Sequence, residues 1–162
     1  MQEKNMQEKK LARRHFMLAG GAAVGVLAIP AAAQAAPVKK HVARLADIKA
    51  GEPTAFSYPG DEPAYLVDLG RAVAGGAGPK RSLVAYSALC QHMGCPVNYN
   101  AKTGHFVCPC HASVFDPAQN GDALEGPTTR GLPRIHLRVV GDAVYAVGVE
   151  HGLVYGRACN HS

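Results

Sequence analysis

From about Ala64 onward the chain alternates apolar and polar residues in short runs, each broken by Gly, Pro, Asn or Asp. That pattern predicts short strands separated by turns, the mark of an all-β fold. Ala64–Leu69 and Leu83–Ser87 read as strands, with a glycine-rich loop from Gly70 to Pro79 between them. Tyr99 and Phe106-Val107 flank Asn100–Gly104, which predicts a hairpin turn, and Val114–Asp116 reads as a further strand before a turn at Pro117–Asp122. Ile135–Val140 and Ala143–Val149 are joined by Gly141-Asp142, a two-residue hairpin connection, and Gly152–Gly156 supplies a last short strand. Segments 70–80 and 117–123 leave room for a short helix, but there is no long amphipathic helical period and no internal repeat. Residues 36–56 carry mixed signals and read as an N-terminal arm.

The first 35 residues have a different character. Residues 1–14 are polar and carry Lys4, Lys9, Lys10, Arg13 and Arg14; an uncharged stretch of 18 residues, Phe16 to Ala33, follows, and Ala33-Gln34-Ala35 offers a small-x-small cleavage site. That order is the order of a signal peptide, and the paired arginines point to twin-arginine export. The alternative is a retained membrane anchor, but the stretch is barely long enough to span a bilayer, and three glycines and Pro30 weaken it as a helix. Either route places residues 36–162, the remaining domain, in the periplasm. Five of the 17 basic and two of the 12 acidic residues lie in the leader, so its removal lowers the net charge from +5 to +2. The basic balance thus belongs partly to the leader, and nothing in it argues for nucleic acid.

Two short blocks carry the chemistry: Cys90-Gln91-His92-Met93-Gly94-Cys95 and Cys108-Pro109-Cys110-His111-Ala112-Ser113. Two cysteines and two histidines, shared between two loops, suit a centre whose two metal atoms have different ligand sets. The pattern resembles a Rieske [2Fe–2S] centre, in which two histidines replace two cysteines on one iron. Two ferric ions, two sulfides and two thiolates sum to a neutral oxidised centre, which accepts an electron more readily than a four-thiolate dianion. The expected potential lies roughly between −150 and +300 mV. Cys90 and Cys108 are expected on the inner iron, and His92 and His111 on the outer iron that takes up the electron. A Cys2His2 zinc site uses the same ligand types, but this block spacing departs from the finger pattern.

These blocks resemble the Rieske family, and the flanking segments Val84–Pro96 and Ala146–Arg157 look like the small subunit of arsenite oxidase. The resemblance runs from about Ala55 to Arg157. It implies antiparallel sheets with a small cluster-binding subdomain at about 88–127, and a proline loop, here Gly126-Pro127, covering the cluster. The remaining cysteines of the two blocks, Cys95 and Cys110, are expected to form a disulfide tying the loops together in an oxidising compartment. Ser113 is placed to donate to a cluster sulfide, whereas Phe115 stands where bc1-type proteins carry a tyrosine. The implied partners are a large molybdopterin subunit that oxidises arsenite and a cytochrome c or cupredoxin acceptor. The Rieske subunit of a quinol–cytochrome c reductase is the second reading, and a ferredoxin-like carrier for an oxygenase the third. Cys159 is left as a free thiol, and Arg130, Arg134 and Arg138 are candidates for a docking face or simply solvated charge. Gly75–Gly78 lacks the strand–helix context of a nucleotide-binding loop.

Overall fold

A computed structural model describes residues 39–150. The leader expected at 1–35, the strand expected at Gly152–Gly156 and Cys159 lie outside the described residues. No helix among the described residues is long and apolar enough to cross a membrane.

Among the described residues ten strands form three antiparallel sheets. The first sheet has the order β1-β10-β9, with β1 at Lys40–Arg44, β9 at Ile135–Val140 and β10 at Ala143–Val149. The second is β2-β3-β4, from Pro53–Ser57, Pro63–Asp68 and Leu83–Ser87. The third is β5-β6-β7-β8, from Asn98–Asn100, His105–Val107, Val114–Asp116 and Asp122–Glu125. It falls inside the segment 88–127, and both ligand blocks adjoin its strands. The arm expected at 36–56 is instead built into two sheets: β1 pairs with β10 and β2 with β3. Both strands are short edge strands with few buried side chains, so alternation alone does not announce them. Strand β8 escapes the sequence reading for the same reason: it is mostly exposed and relies on pairing with β7.

The middle sheet separates two cores. Side chains alternate across a strand, so Leu66, Leu83 and Ala85 face a core shared with Ile135, Val144 and Ala146 of the first sheet. Val67, Val84 and Tyr86 face the other way, into a core that holds Val97, Phe106, Phe115, Cys90 and Cys108. Strand β4 is therefore buried at all five positions, which explains its unbroken Leu-Val-Ala-Tyr run. Its far edge is closed by the Ser87 N–H, which donates to Pro133 O at 2.9 Å.

The turn after β7 is a single 3-10 turn at Pro117–Gln119, capped by Asp116. The Asp116 carboxylate accepts from the Ala118 N–H and from the Gln119 amide, each at 2.7 Å. Burial alone would push this carboxyl up, but these hydrogen bonds outweigh it and hold Asp116 below the usual carboxylate range. A depressed carboxyl stabilises the fold above its unfolded value of about 4, and the benefit is lost as pH falls through the folded value. Asp116→Ala is expected to lower stability by about 1 kcal/mol at neutral pH. In chemical denaturation the gap from the parent should shrink as the pH drops below that range.

Candidate metal centre

The first ligand block leaves the buried end of β4 and returns to β5 as a closed loop. The Val97 N–H donates to Ala88 O at 2.8 Å, and Leu89 bridges Pro96, so the excursion between them is pinned at its base. Inside it the Cys90 N–H donates to Cys95 O at 2.9 Å and the Gly94 N–H to Cys90 O at 2.8 Å. Gly94 has φ +74°, a left-handed conformation that costs glycine little and lets the chain turn back toward Cys95. The second block joins β6 to β7 and is closed by the Cys108 N–H, which donates to Ser113 O at 2.8 Å. Ala112 takes φ +55° there, a strained conformation for a residue with a Cβ, costing about 1 kcal/mol. The twist separates an exposed His111 from a fully buried Ser113 two residues on.

The two loops converge. Cys90 and Cys108 are each 1% exposed, whereas His92 is half-buried and His111 exposed. The Nδ1 atoms of His92 and His111 lie 3.3 Å apart with their rings perpendicular, so both imidazoles turn the same nitrogen toward one place. Cys95 and Cys110 form a disulfide that ties the loops together. The sulfurs of Cys95, Cys108 and Cys110 all lie within 4.8 Å of one another, but a disulfide offers no thiolate to a metal. The groups left in the two loops that could hold a metal are Cys90, Cys108, His92 and His111.

Burial pushes the Cys90 thiol up, the backbone N–H of His92 pulls it down, and the adjoining Cys108 thiol pushes it up again. A Cys90 thiol so buried resists ionisation unless a cation compensates it. The Ser113 hydroxyl sits near enough to Cys90 to favour the thiolate, yet its Oγ meets hydrogen-bond geometry with no protein partner. A buried hydroxyl without a partner carries a desolvation cost, and a sulfide of an iron–sulfur cluster is an acceptor that would relieve it. Gly126 closes over the same point: a Cβ there would lie 2.6 Å from Ser113 Oγ and 2.5 Å from Ser113 Cα. These residues fit a [2Fe–2S] cluster, with sulfur ligands inside and imidazoles at the surface. Such a cluster supplies one-electron storage.

The surrounding residues divide into those that face the pocket and those that support it. Phe115 is fully buried in the core that also holds Cys90 and Cys108, paired with Phe106 across β6 and β7. Pro127 is exposed beside Gly126. Sequence reasoning passed over Thr128, which is buried and fastens this loop: its hydroxyl donates to Arg130 O and accepts from the Arg130 N–H, both at 3.2 Å. A threonine two residues before the residue it bonds is a signal for such a turn. Met93, next to His92 in the chain, is a large apolar side chain left 61% exposed. The three arginines do not act as one face. Arg134 donates to Asn120 Oδ1 at 2.8 Å and Ala74 O at 3.1 Å, and with Arg130 and Gln91 it lines a cavity of about 400 Å³. Arg138 lies along β9, opposite Tyr145.

Paired inward thiols, paired outward imidazoles and a three-sheet antiparallel scaffold define an iron–sulfur electron carrier. Residues 38–136 match the Rieske [2Fe–2S] domain, and the chain belongs to that family. Its cofactor is a [2Fe–2S] cluster. The iodate reductase subunit IdrB of Denitromonas iodatirespirans is 40% identical over 94% of this chain and 88% of its own length. The Rieske iron–sulfur subunit of the cytochrome bc1 complex of Streptomyces lividans is 43% identical over 58 residues, 35% of this chain and 34% of its own length. Among solved structures, the soluble domain of the Rieske protein II from Sulfolobus acidocaldarius superposes with a TM-score of 0.60 at 25% identity, covering 68% of this chain and 77% of its own.

Removing the Ser113 donor should make the reduced cluster harder to form. Ser113→Ala is therefore expected to lower the midpoint potential in a redox titration, with the fold retained because no protein hydrogen bond is lost. The disulfide closes a sequence separation of 15 residues, so Cys95→Ser is expected to cost about 3 kcal/mol in denaturant unfolding and to shorten cluster lifetime. An unchanged midpoint and lifetime would make the bridge irrelevant.

Proposed function

We propose that this chain is the Rieske electron-transfer subunit of a periplasmic oxyanion oxidoreductase whose chemistry is that of iodate reductase. The observation that carries this reading is the likeness to the iodate reductase subunit along nearly the whole of both chains. The likeness to the bc1-type subunit is confined to about a third of the chain. The resemblance of Val84–Pro96 and Ala146–Arg157 to arsenite oxidase small subunits supports a second reading within the same architecture. Both readings place a large catalytic subunit, expected to carry molybdopterin, against this chain. Both also expect a small soluble redox protein, such as a cytochrome c or cupredoxin, as the second partner, and export of the folded, cluster-bearing chain by the twin-arginine route.

The two readings differ in the direction of electron flow. In iodate reduction this chain would hand electrons to the catalytic subunit, and in arsenite oxidation it would take them away. The site serves either direction because its exit is the imidazole edge: His111 is exposed and His92 half-buried, while both ligand thiols are sealed from solvent. Electron tunnelling falls off steeply with distance, so the exposed edge is where either partner must approach.

The test is a native complex purified from periplasm and assayed for molybdenum and iron. Iodate should reoxidise the reduced centre, read from the loss of its electron paramagnetic resonance signal. Arsenite added to the oxidised centre should leave it oxidised. The opposite pair of results would transfer the assignment to arsenite oxidase, and co-purification with cytochrome b would refute both. In the same complex His111→Ala is expected to abolish the Rieske signal and iodate-dependent turnover.

A further inference from the structure

Four sulfur atoms meet between the two loops, two of them as thiols and two joined as a disulfide. Cys108 Sγ lies within 4.8 Å of both Cys95 Sγ and Cys110 Sγ, and it also adjoins the Cys90 thiol. A thiol held next to a disulfide is set up for exchange, because the approach that is normally bimolecular is already made. Binding to iron would occupy Cys108 and prevent the reaction. In the chain before the cluster is inserted nothing does.

We propose that in the cluster-free chain Cys108 is an internal nucleophile that converts the Cys95–Cys110 disulfide into Cys95–Cys108. Cys108 gives up its proton, its sulfur bonds to Cys95 Sγ, the Cys95–Cys110 bond breaks, and the electron pair leaves with Cys110 Sγ, which takes up a proton. One disulfide and one thiol are present before and after, so no oxidant or reductant is consumed. The direction follows from position. Cys110 is exposed and departs into water, whereas attack on Cys110 itself would close a disulfide across Pro109 alone, a ring too tight for ordinary disulfide geometry. Cys95 is half-buried and stays in the pocket.

The consequence rests on reading Cys90 and Cys108 as cluster ligands. The isomer with Cys95–Cys108 has lost one of the two thiols the cluster needs and exposes Cys110 in its place. Cluster insertion must therefore come before disulfide formation. That order requires a thiol-reducing stage of assembly ahead of an oxidising one, as export of an already folded chain would provide.

The experiment uses the full chain, loaded with cluster or stripped of iron by anaerobic chelation. Each form is incubated without oxidant, quenched in acid, alkylated and digested with trypsin. Cleavage after Arg81, Lys102 and Arg130 puts Cys90 and Cys95 on one peptide and Cys108 and Cys110 on another. Fragmentation before Pro109 then tells which of the latter pair is linked. The loaded chain should show Cys95–Cys110 alone. The stripped chain should lose that linkage, gain Cys95–Cys108 and carry an alkylated Cys110, and stripped Cys108→Ser should keep Cys95–Cys110. Persistence of Cys95–Cys110 as the sole linkage in the stripped parent would overturn the exchange. So would linkages spread over Cys90 and Cys159, which would mean scrambling of an unfolded chain. Iron and sulfide bound by Cys108→Ser are measured separately: parental content there refutes the ligand assignment and leaves the linkage map to judge the exchange on its own.

Discussion

Sulfur and imidazole have to be held on opposite sides of one small pocket, and most of the fold is arranged around that demand. The thiols need a water-poor environment, because solvent would hydrolyse or strip a metal that they would hold. The imidazoles need the surface, because electrons must reach a partner. Loops of this length have too few backbone hydrogen bonds of their own to resist fraying. They are held instead at their bases by Val97–Ala88 and Cys108–Ser113, and across their tips by the Cys95–Cys110 bond. A centre that changes charge with each turnover benefits from such a frame, since surroundings that cannot move need little reorganisation.

Behind the pocket the frame is aromatic. Phe106 has no exposed surface and is met by Tyr65, Tyr86 and Tyr99 at centroid distances of 6.0, 6.0 and 5.2 Å. Burial raises the Tyr86 phenol, and its O–H donates to Pro117 O at 2.8 Å, which joins β4 to the turn after β7. Gly121 keeps its place in that turn because a Cβ would lie 2.7 Å from the Tyr86 ring. The same strand thus delivers Cys90 at its end and anchors the far side of the cluster-binding sheet through a tyrosine near its middle. The first sheet lies on the opposite face of the middle sheet and takes no direct part in the pocket.

This division of labour separates what the chain does from what it does it to. The centre stores one electron, and nothing in its ligand set prefers an oxidising or a reducing substrate. Direction is set by the partner's potential and by the fit of the His92 and His111 edge against it.

Most of the strand positions, and the two loops that bring Cys90, His92, Cys108 and His111 together, could be read from residue pattern. Strand β4 and the β9–β10 hairpin stand where apolar runs and the Gly141-Asp142 turn put them, because burial and turn geometry are local properties. The edge strands β1, β2 and β8 could not be read, since their order comes from neighbours distant in sequence rather than from their own composition. The fastening of Gly126–Arg130 by Thr128 escaped for a related reason, as its importance depends on Ser113 lying beneath Gly126. By itself the sequence determined which residue types were available as ligands and that they come in two blocks, because ligand chemistry is a property of side chains. The sequence also led to inward thiols and outward imidazoles, and Cys90 and Cys108 are indeed buried while His92 is half-buried and His111 exposed. Only the tertiary structure decided that a third sulfur stands beside the disulfide, because that is a relation between two loops that meet only when the sheets pack.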